Sequence, residues 1–246
     1  MPVSPEASRA RIDWAAFSLV VFDKGGTLID FRAMWCGWAM ELAQRLETRL
    51  GPPIAERFFE ALEFDPRSGR IAPTGPLAVF PMSSLRVLTA DVLTEAGLSR
   101  DAAEAMVASV WFAPDPIATA QPLADLPALF RALRERGVSI AIATMDDRAS
   151  TEGGLTALGV KTLVDAVVCA DDGLPHKPAP DMVWAVCRTI GVSPLRAVVV
   201  GDALADMQMG RSAGAGLVVG VLSGVAPKEL LAPRADVLIA DVGELI

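Results

Sequence analysis

Four short strings in the chain gather residue types suited to handling a charged oxygen-rich group. Asp23, Gly25, Gly26 and Thr27 stand in FDKGGTLID, Thr144 in ATMDDR, Lys177 in HKPAPD, and Asp202 and Asp206 in GDALAD. Brought together, three carboxylates, one ammonium and two hydroxyls suit a divalent cation beside an anion. An all-oxygen set favours magnesium, which keeps some of its waters and shares a substrate phosphate. Gly25 and Gly26 free the backbone to turn sharply and aim N–H groups at phosphate oxygens. Thr27 adds a hydroxyl donor or caps the turn. Asp202 and Asp206, four residues apart at a helix start, share one face and can hold a cation at the helix's positive end. Lys177 then neutralises phosphate and nucleophile, leaving Asp23 to attack phosphorus in line and form an aspartyl-phosphate.

Such groups must be positioned by rigid elements, and the pattern supplies them. Apolar runs of strand length cover 18–22, 138–143, 166–169, 197–200, 217–221 and 237–239. They are apolar throughout and do not alternate, which suits strands covered on both faces. Amphipathic stretches at 123–136, 151–158, 181–190 and 205–213 separate most of them. Strand then helix, repeated, predicts an α/β fold built on a doubly wound parallel sheet. Ligands bind such sheets beyond the carboxyl ends of the strands, where the four strings fall.

One stretch departs from this alternation. Residues 31–119 show helical patterns at 33–50, 54–62, 84–96 and 100–112, with a Pro- and Gly-rich loop at 65–80 and no convincing buried strand. The chain therefore divides into a core, 1–30 with 119–246, and an inserted α-helical cap, 31–118. Asp30–Phe31 marks the way out, and Pro114 with Pro116 the way back.

Taken in order, FDKGGTLID, Thr144, Lys177 and GDALAD resemble the four motifs of the haloacid dehalogenase-like hydrolase superfamily. The likeness covers about 15–30 and 120–246, and is nearest to the phosphoglycolate phosphatase-like branch with a helical cap on a Rossmann-like core. The resemblance implies that Asp23 is the nucleophile and Asp202 a magnesium ligand, with Asp206 supporting the metal directly or through water. It implies too that the backbone carbonyl of Gly25 binds Mg2+, and that Thr144 and Lys177, with Gly26 and Thr27, meet the phosphoryl group.

The sequence departs from that pattern at Gly25, where phosphatases of the superfamily carry a second aspartate. That residue protonates the leaving oxygen and later activates water. General acid–base help is worth about 10²–10⁴-fold, so ester hydrolysis should be weakened, and acyl or aryl phosphates with good leaving groups should be favoured. Asp30, Asp146 and Asp147 are the nearest replacements by sequence. The expected function is a magnesium-dependent phosphatase of a small phosphorylated metabolite. The alternative is a degenerate relative that binds a phosphorylated ligand without turning it over. Dehalogenation is disfavoured, because those relatives carry an aromatic residue at position 25 and lack the metal aspartates. A phosphonatase-like reaction needs a cap lysine for a Schiff base, and none of the four lysines, at 24, 161, 177 and 228, lies in 31–119.

Composition excludes other classes. The formal charge of -8 opposes a nucleic-acid surface. One histidine and three scattered cysteines make neither a zinc site nor a disulfide framework, which suits a reducing compartment. A mean hydropathy of +0.41 is high, yet no apolar run approaches the roughly 20 residues of a membrane span. Residues 1–14 lack an apolar leader, and the expected location is cytoplasmic, away from membranes. Among other residues, Lys24 reads as a rim side chain, His176 as a packed or capping loop residue, and Cys169 and Cys187 as buried small hydrophobes. Cys36 reads as pocket-facing, and Trp35 and Trp38 as cap core. Arg32, Arg67 and Arg70 are candidates to meet an anionic substrate tail.

Overall fold

A computed structural model describes residues 12–51 and 53–246. Residues 1–11, which carry most of the leader expectation, lie outside the described residues. Six parallel strands form one sheet in the order β5-β4-β1-β6-β7-β8. These are β1 (Leu19–Phe22), β4 (Ser139–Ala143), β5 (Ala166–Val168), β6 (Ala197–Gly201), β7 (Leu217–Val221) and β8 (Val237–Ile239). The remaining two, β2 (Phe64–Asp65) and β3 (Arg70–Ile71), pair antiparallel in a separate hairpin. Helices α6 (Leu126–Glu135), α7 (Arg148–Ala157), α8 (Asp181–Ile190), α9 (Leu204–Ala213) and α10 (Lys228–Leu231) connect and cover the six-stranded sheet. The architecture is the expected α/β fold.

The central strand is β1, fully buried and paired with β4 and β6 through the registers Phe22↔Ile142 and Phe22↔Val200. Burying each large apolar side chain of such a strand contributes about 1.5–3 kcal/mol. Phe22 stacks on Phe130 of α6, centroids 5.5 Å apart, and so ties that helix to the strand bearing Asp23.

Between β1 and α6 the chain forms α1 (Phe31–Leu50), α2 (Ile54–Ala61), the β2–β3 hairpin, α3 (Pro76–Val79), α4 (Met82–Glu95) and α5 (Arg100–Val110). The stretch expected to be a loop at 65–80 therefore contains strand β3 and helix α3. Two-residue strands give too little alternation to be read from sequence, and Pro76 at the first position of α3 starts a helix where proline usually signals a break. The outgoing and returning segments are stitched together. Asp30 N donates to the Gln121 carbonyl at 2.8 Å, and Leu123 N to the Leu28 carbonyl at 3.0 Å. Asp30 also caps α1, accepting from Arg32 N and Ala33 N.

Among the described residues, no helix is long and apolar enough to cross a membrane. The high hydropathy is accounted for by the doubly covered sheet and by the apolar interior of the insertion, where Trp38, Leu42, Leu46 and Phe58 belong to the same buried cluster as Phe22 and Val200.

Candidate active site

The ends of β1, β4 and β6 meet the loop before α8 around one small cavity of about 70 Å³. Asp23 follows β1 directly, its backbone N donating to the Val200 carbonyl at 2.9 Å, so the sheet ladder itself aims the residue. Lys177 Nζ lies 2.6 Å from Asp23 Oδ1 and 2.6 Å from Asp206 Oδ1. Among the described residues no donor reaches Asp23 Oδ2. One oxygen of Asp23 is thus held and the other is not engaged, in a residue that lines the cavity.

Asp202 and Asp206 are both 2% exposed and would be costly there without partners. Each is braced. Asp202 Oδ1 accepts from Thr27 Oγ1 at 3.1 Å, and Oδ2 from Val225 N at 3.1 Å. Asp206 Oδ2 accepts from Ala203 N at 3.0 Å, closing the first turn of α9. Glycines make room for both carboxylates. A Cβ on Gly26 would stand 2.4 Å from Asp202 Oδ2, one on Gly224 1.8 Å from the same atom, and one on Gly201 2.3 Å from Asp206 Cβ. Gly26 also has φ +88°, which only glycine adopts without strain.

Asp23, Asp202 and Asp206 each offer an oxygen, all within 4.8 Å of one another. Three carboxylates against one ammonium leave an excess of negative charge on an all-oxygen donor set, and this set fits a hard divalent cation. The ionisation of the cluster reflects the same crowding. Burial pushes the Asp23 carboxyl up to about 6, Lys177 opposing and Asp206 adding to the rise. Burial, then the neighbouring Asp23 and Asp206, raise Asp202 well above the carboxylate range. Burial works against the Lys177 charge, but Asp206 and Asp23 outweigh it and hold the ammonium above the usual lysine range.

Thr144 lies 2% exposed on the cavity wall, its hydroxyl accepting from Asp146 N at 3.1 Å. Gly25 lines the cavity as well, its missing side chain facing the ring of Phe31, whose Cδ2 would lie 3.1 Å from a Cβ there. Gly26 and Thr27, expected at the phosphate, have internal partners in the structure. The Gly26 N–H donates to the Ile29 carbonyl at 2.7 Å and the Thr27 hydroxyl to Asp202, so both groups are already committed. Thr27 thereby braces Asp202, and Gly26 leaves room for it.

Several other expectations are corrected. Lys24 is not at the rim: it is 1% exposed, with Nζ 2.5 Å from Asp146 Oδ2, a charge pair outside hydrogen-bond alignment. Of the three carboxylates near Gly25 in sequence, Asp30 caps α1 and Asp147 caps α7, while Asp146 lines the cavity. Cys36 does not face the cavity; its Sγ approaches the Gly69 carbonyl at 3.9 Å. Trp35 is core and cavity wall together. Arg67 and Arg70 line a different cavity, on the β2–β3 hairpin and α2. His176 is exposed, its Nε2 3.0 Å from the Ala170 carbonyl.

The loop after β7 was missed. Ser223 Oγ donates to the Gly26 carbonyl at 2.8 Å, Gly224 leaves room for Asp202, and Val225 N bonds it. The available signal was a fifth apolar strand, GLVVGVL, followed by Ser-Gly, the same strand-then-small-residue pattern as the strings that were read.

A parallel sheet with an inserted helical segment and a carboxylate–lysine cluster at its carboxyl edge defines a class of α/β hydrolases. The chain belongs to the haloacid dehalogenase-like hydrolase family, whose family model matches residues 17–214. It is 29% identical over 233 residues to validoxylamine A 7'-phosphate phosphatase of Streptomyces hygroscopicus subsp. limoneus, covering 93% of this chain and 96% of that protein. It is 28% identical to Protein SUPPRESSOR OF QUENCHING 1, chloroplastic, of Arabidopsis thaliana, over 85% of this chain but only 18% of that much longer protein. Its fold resembles that of the HAD hydrolase, family IA, variant 3, from Entamoeba histolytica, with a TM-score of 0.64 at 22% identity, covering 94% of this chain and 96% of that one.

Proposed function

We propose that the protein is a magnesium-dependent phosphatase of small phosphorylated metabolites that works through an aspartyl-phosphate on Asp23. The observation that carries this reading is the asymmetry of Asp23, a residue of the cavity wall: Lys177 holds Oδ1 at 2.6 Å, while no hydrogen bond among the described residues engages Oδ2. A carboxylate fixed by one oxygen presents the other as a nucleophile, and a positioned attack converts a bimolecular step into a unimolecular one. The phosphatase named among the relatives supports the same reaction class.

In this mechanism Asp23 Oδ2 forms a bond to phosphorus as the ester P–O bond breaks, and the leaving oxygen takes the electron pair. Water then attacks phosphorus, releasing inorganic phosphate and restoring the Asp23 carboxylate. Lys177 carries positive charge to the transferring group and keeps Asp23 and Asp206 in place. Thr144 offers a hydroxyl on the same wall. Asp23, Asp202 and Asp206, with the Gly25 carbonyl, would hold Mg2+, which when bound offsets negative charge between nucleophile and phosphate. We assign the inserted segment 31–118 as a cap over this site, one that selects substrates and excludes water.

Gly25 supports a second reading, in which the chain binds a phosphorylated ligand without turnover. One experiment separates the two. With Mg2+, the wild-type protein should hydrolyse aryl phosphates, and Asp23→Asn should lose that activity completely. Hydrolysis that survives in Asp23→Asn would sink the nucleophile assignment. If the wild-type protein is inert but beryllofluoride with Mg2+ raises its Tm, the binding reading replaces the enzymatic one.

A further inference from the structure

The cavity at Asp23 adjoins a larger cleft. The two share Val79, Met145, Lys177, Ala203 and Ala205, and the cleft, at about 410 Å³, far exceeds the cavity. The cleft adjoining the cavity is the space that a leaving group larger than the cavity would occupy.

The chemistry of that path is one-sided. Away from the carboxylates, the cavity is walled by Phe31, Trp35, Val79 and Val225. The cleft adds Phe80, Pro81 and Leu204, with Thr74, Ser84 and Gln208 as neutral polar groups. With Lys177 assigned to the transferring phosphoryl group, neither lysine near the path is left over for a second anion on the leaving group. Lys177 is bound to Asp23 and Asp206, and Lys24 is paired with Asp146, itself an anion on the cavity wall. His176 stands at the cleft with Nε2 against the Ala170 carbonyl. Arg67 and Arg70, the side chains best suited to a carboxylate, line another cavity together with Glu56, Glu60 and Glu63.

We infer that the substrate is a phosphate monoester of a neutral, largely apolar alcohol or phenol, and that the pocket rejects esters whose leaving group carries its own negative charge. The inference rests on the phosphatase reading above. A carboxylate or second phosphate on the leaving group would give up water for a largely apolar wall on which, among the described residues, the engaged Lys177 is the one lysine or arginine, beside a carboxylate of like charge. A neutral group loses little there and gains the burial of its apolar surface. Discrimination then comes from what the pocket lacks as much as from what it contacts.

Two aryl phosphates of nearly the same size and shape isolate the charge: 4-carbamoylphenyl phosphate and 4-carboxyphenyl phosphate, each assayed with Mg2+. We expect kcat/KM to favour the amide by at least about tenfold, the scale set by leaving a charged group without a partner. The corresponding arylphosphonates, which cannot be hydrolysed, remove any difference in leaving ability. As inhibitors they should show the same order with a similar ratio. Equal or reversed preference in both measurements would overturn the inference and leave the phosphatase reading standing. No turnover of either ester would overturn the phosphatase reading and this inference with it.

Discussion

The sheet edge and the inserted helices contribute unlike halves of the site. The edge supplies every charged group at the cavity: Asp23, Asp146, Lys177, Asp202 and Asp206. Each is tied to the backbone or to an opposite charge by a short contact. The insertion supplies Phe31, Trp35, Ala78 and Val79, all apolar, from α1 and α3. One half is built for charge and fixed in place by glycines and hydrogen bonds. The other half offers shape alone. Chemistry and selection thus rest on different physical terms, and changes to each half should be felt in different kinetic constants.

The largest effect should come from the charged half. Lys177→Met keeps the length of the side chain but leaves Asp23 and Asp206 without their ammonium. Removing a single preorganised charge-stabilising donor costs about 10²–10³ in turnover, and here the nucleophile is released as well. We expect kcat on an aryl phosphate to fall by at least about 10³-fold. A loss of less than tenfold would mean that a cation alone organises the site, and would remove the lysine from the reading.

Gly25 is the seam between the halves, where the sheet edge lacks a side chain and Phe31 of the insertion faces the gap. Its φ lies outside the left-handed region, so an aspartate can adopt the backbone, but its Cβ would press on Phe31 Cδ2 at 3.1 Å. Gly25→Asp should raise kcat on alkyl phosphates by about tenfold or more, as a general acid is added. Trimming the ring with Phe31→Leu should enlarge that gain. The increase should be smaller for nitrophenyl esters, which need little protonation. No gain on any ester, in a folded Gly25→Asp/Phe31→Leu protein, would mean that Asp146 or another group already performs the step.

The charge excess on the edge also predicts how stability depends on pH. The Asp23 carboxyl is raised from 3.8 to about 6 by burial. A raised acid penalises the folded state only once it ionises. The penalty is therefore absent below pH 3.8 and complete above about 6. Cation binding favours the ionised trio and releases the proton. The rise in Tm caused by Mg2+ should accordingly be small near pH 4 and grow up to pH 7. A rise independent of pH would place the cation somewhere other than Asp23, Asp202 and Asp206.

The same division explains what could be read in the sequence. Asp23, Thr144 and Asp202 directly follow apolar runs, while Asp206 sits in the first turn of α9 and Lys177 in the loop before α8, so the strand-then-helix pattern both positions and marks them. The sheet was legible for the same reason, since each strand is apolar on both faces. Gly26 and Thr27 were visible but their task was not, because the partner of Thr27 is Asp202, 175 residues away. Lys24 resisted reading because a buried lysine is marked by its distant partner, Asp146, and by nothing around it in sequence. The insertion hides most. Its wall residues are ordinary core side chains, and which of them face the cavity depends on how α1 and α3 pack over the sheet edge.

Trp35 tests the apolar half with the smallest change. It is 5% exposed, stacks on Phe31 with centroids 5.9 Å apart, and meets Trp38 edge-on at 5.5 Å. Trp35→Phe keeps an aromatic ring in both contacts but removes the outer part of the indole from the cavity wall. No charged group moves, so the transition state should lose little that the ground state does not lose too. Loss of uniform binding raises KM and spares kcat. A change of one or two carbon atoms of pocket contact corresponds to about threefold to tenfold in KM for a neutral aryl phosphate. If kcat fell instead, with KM unchanged, the ring would belong with the reacting groups, and the line drawn between the charged edge and the apolar insertion would have to pass on the other side of α1.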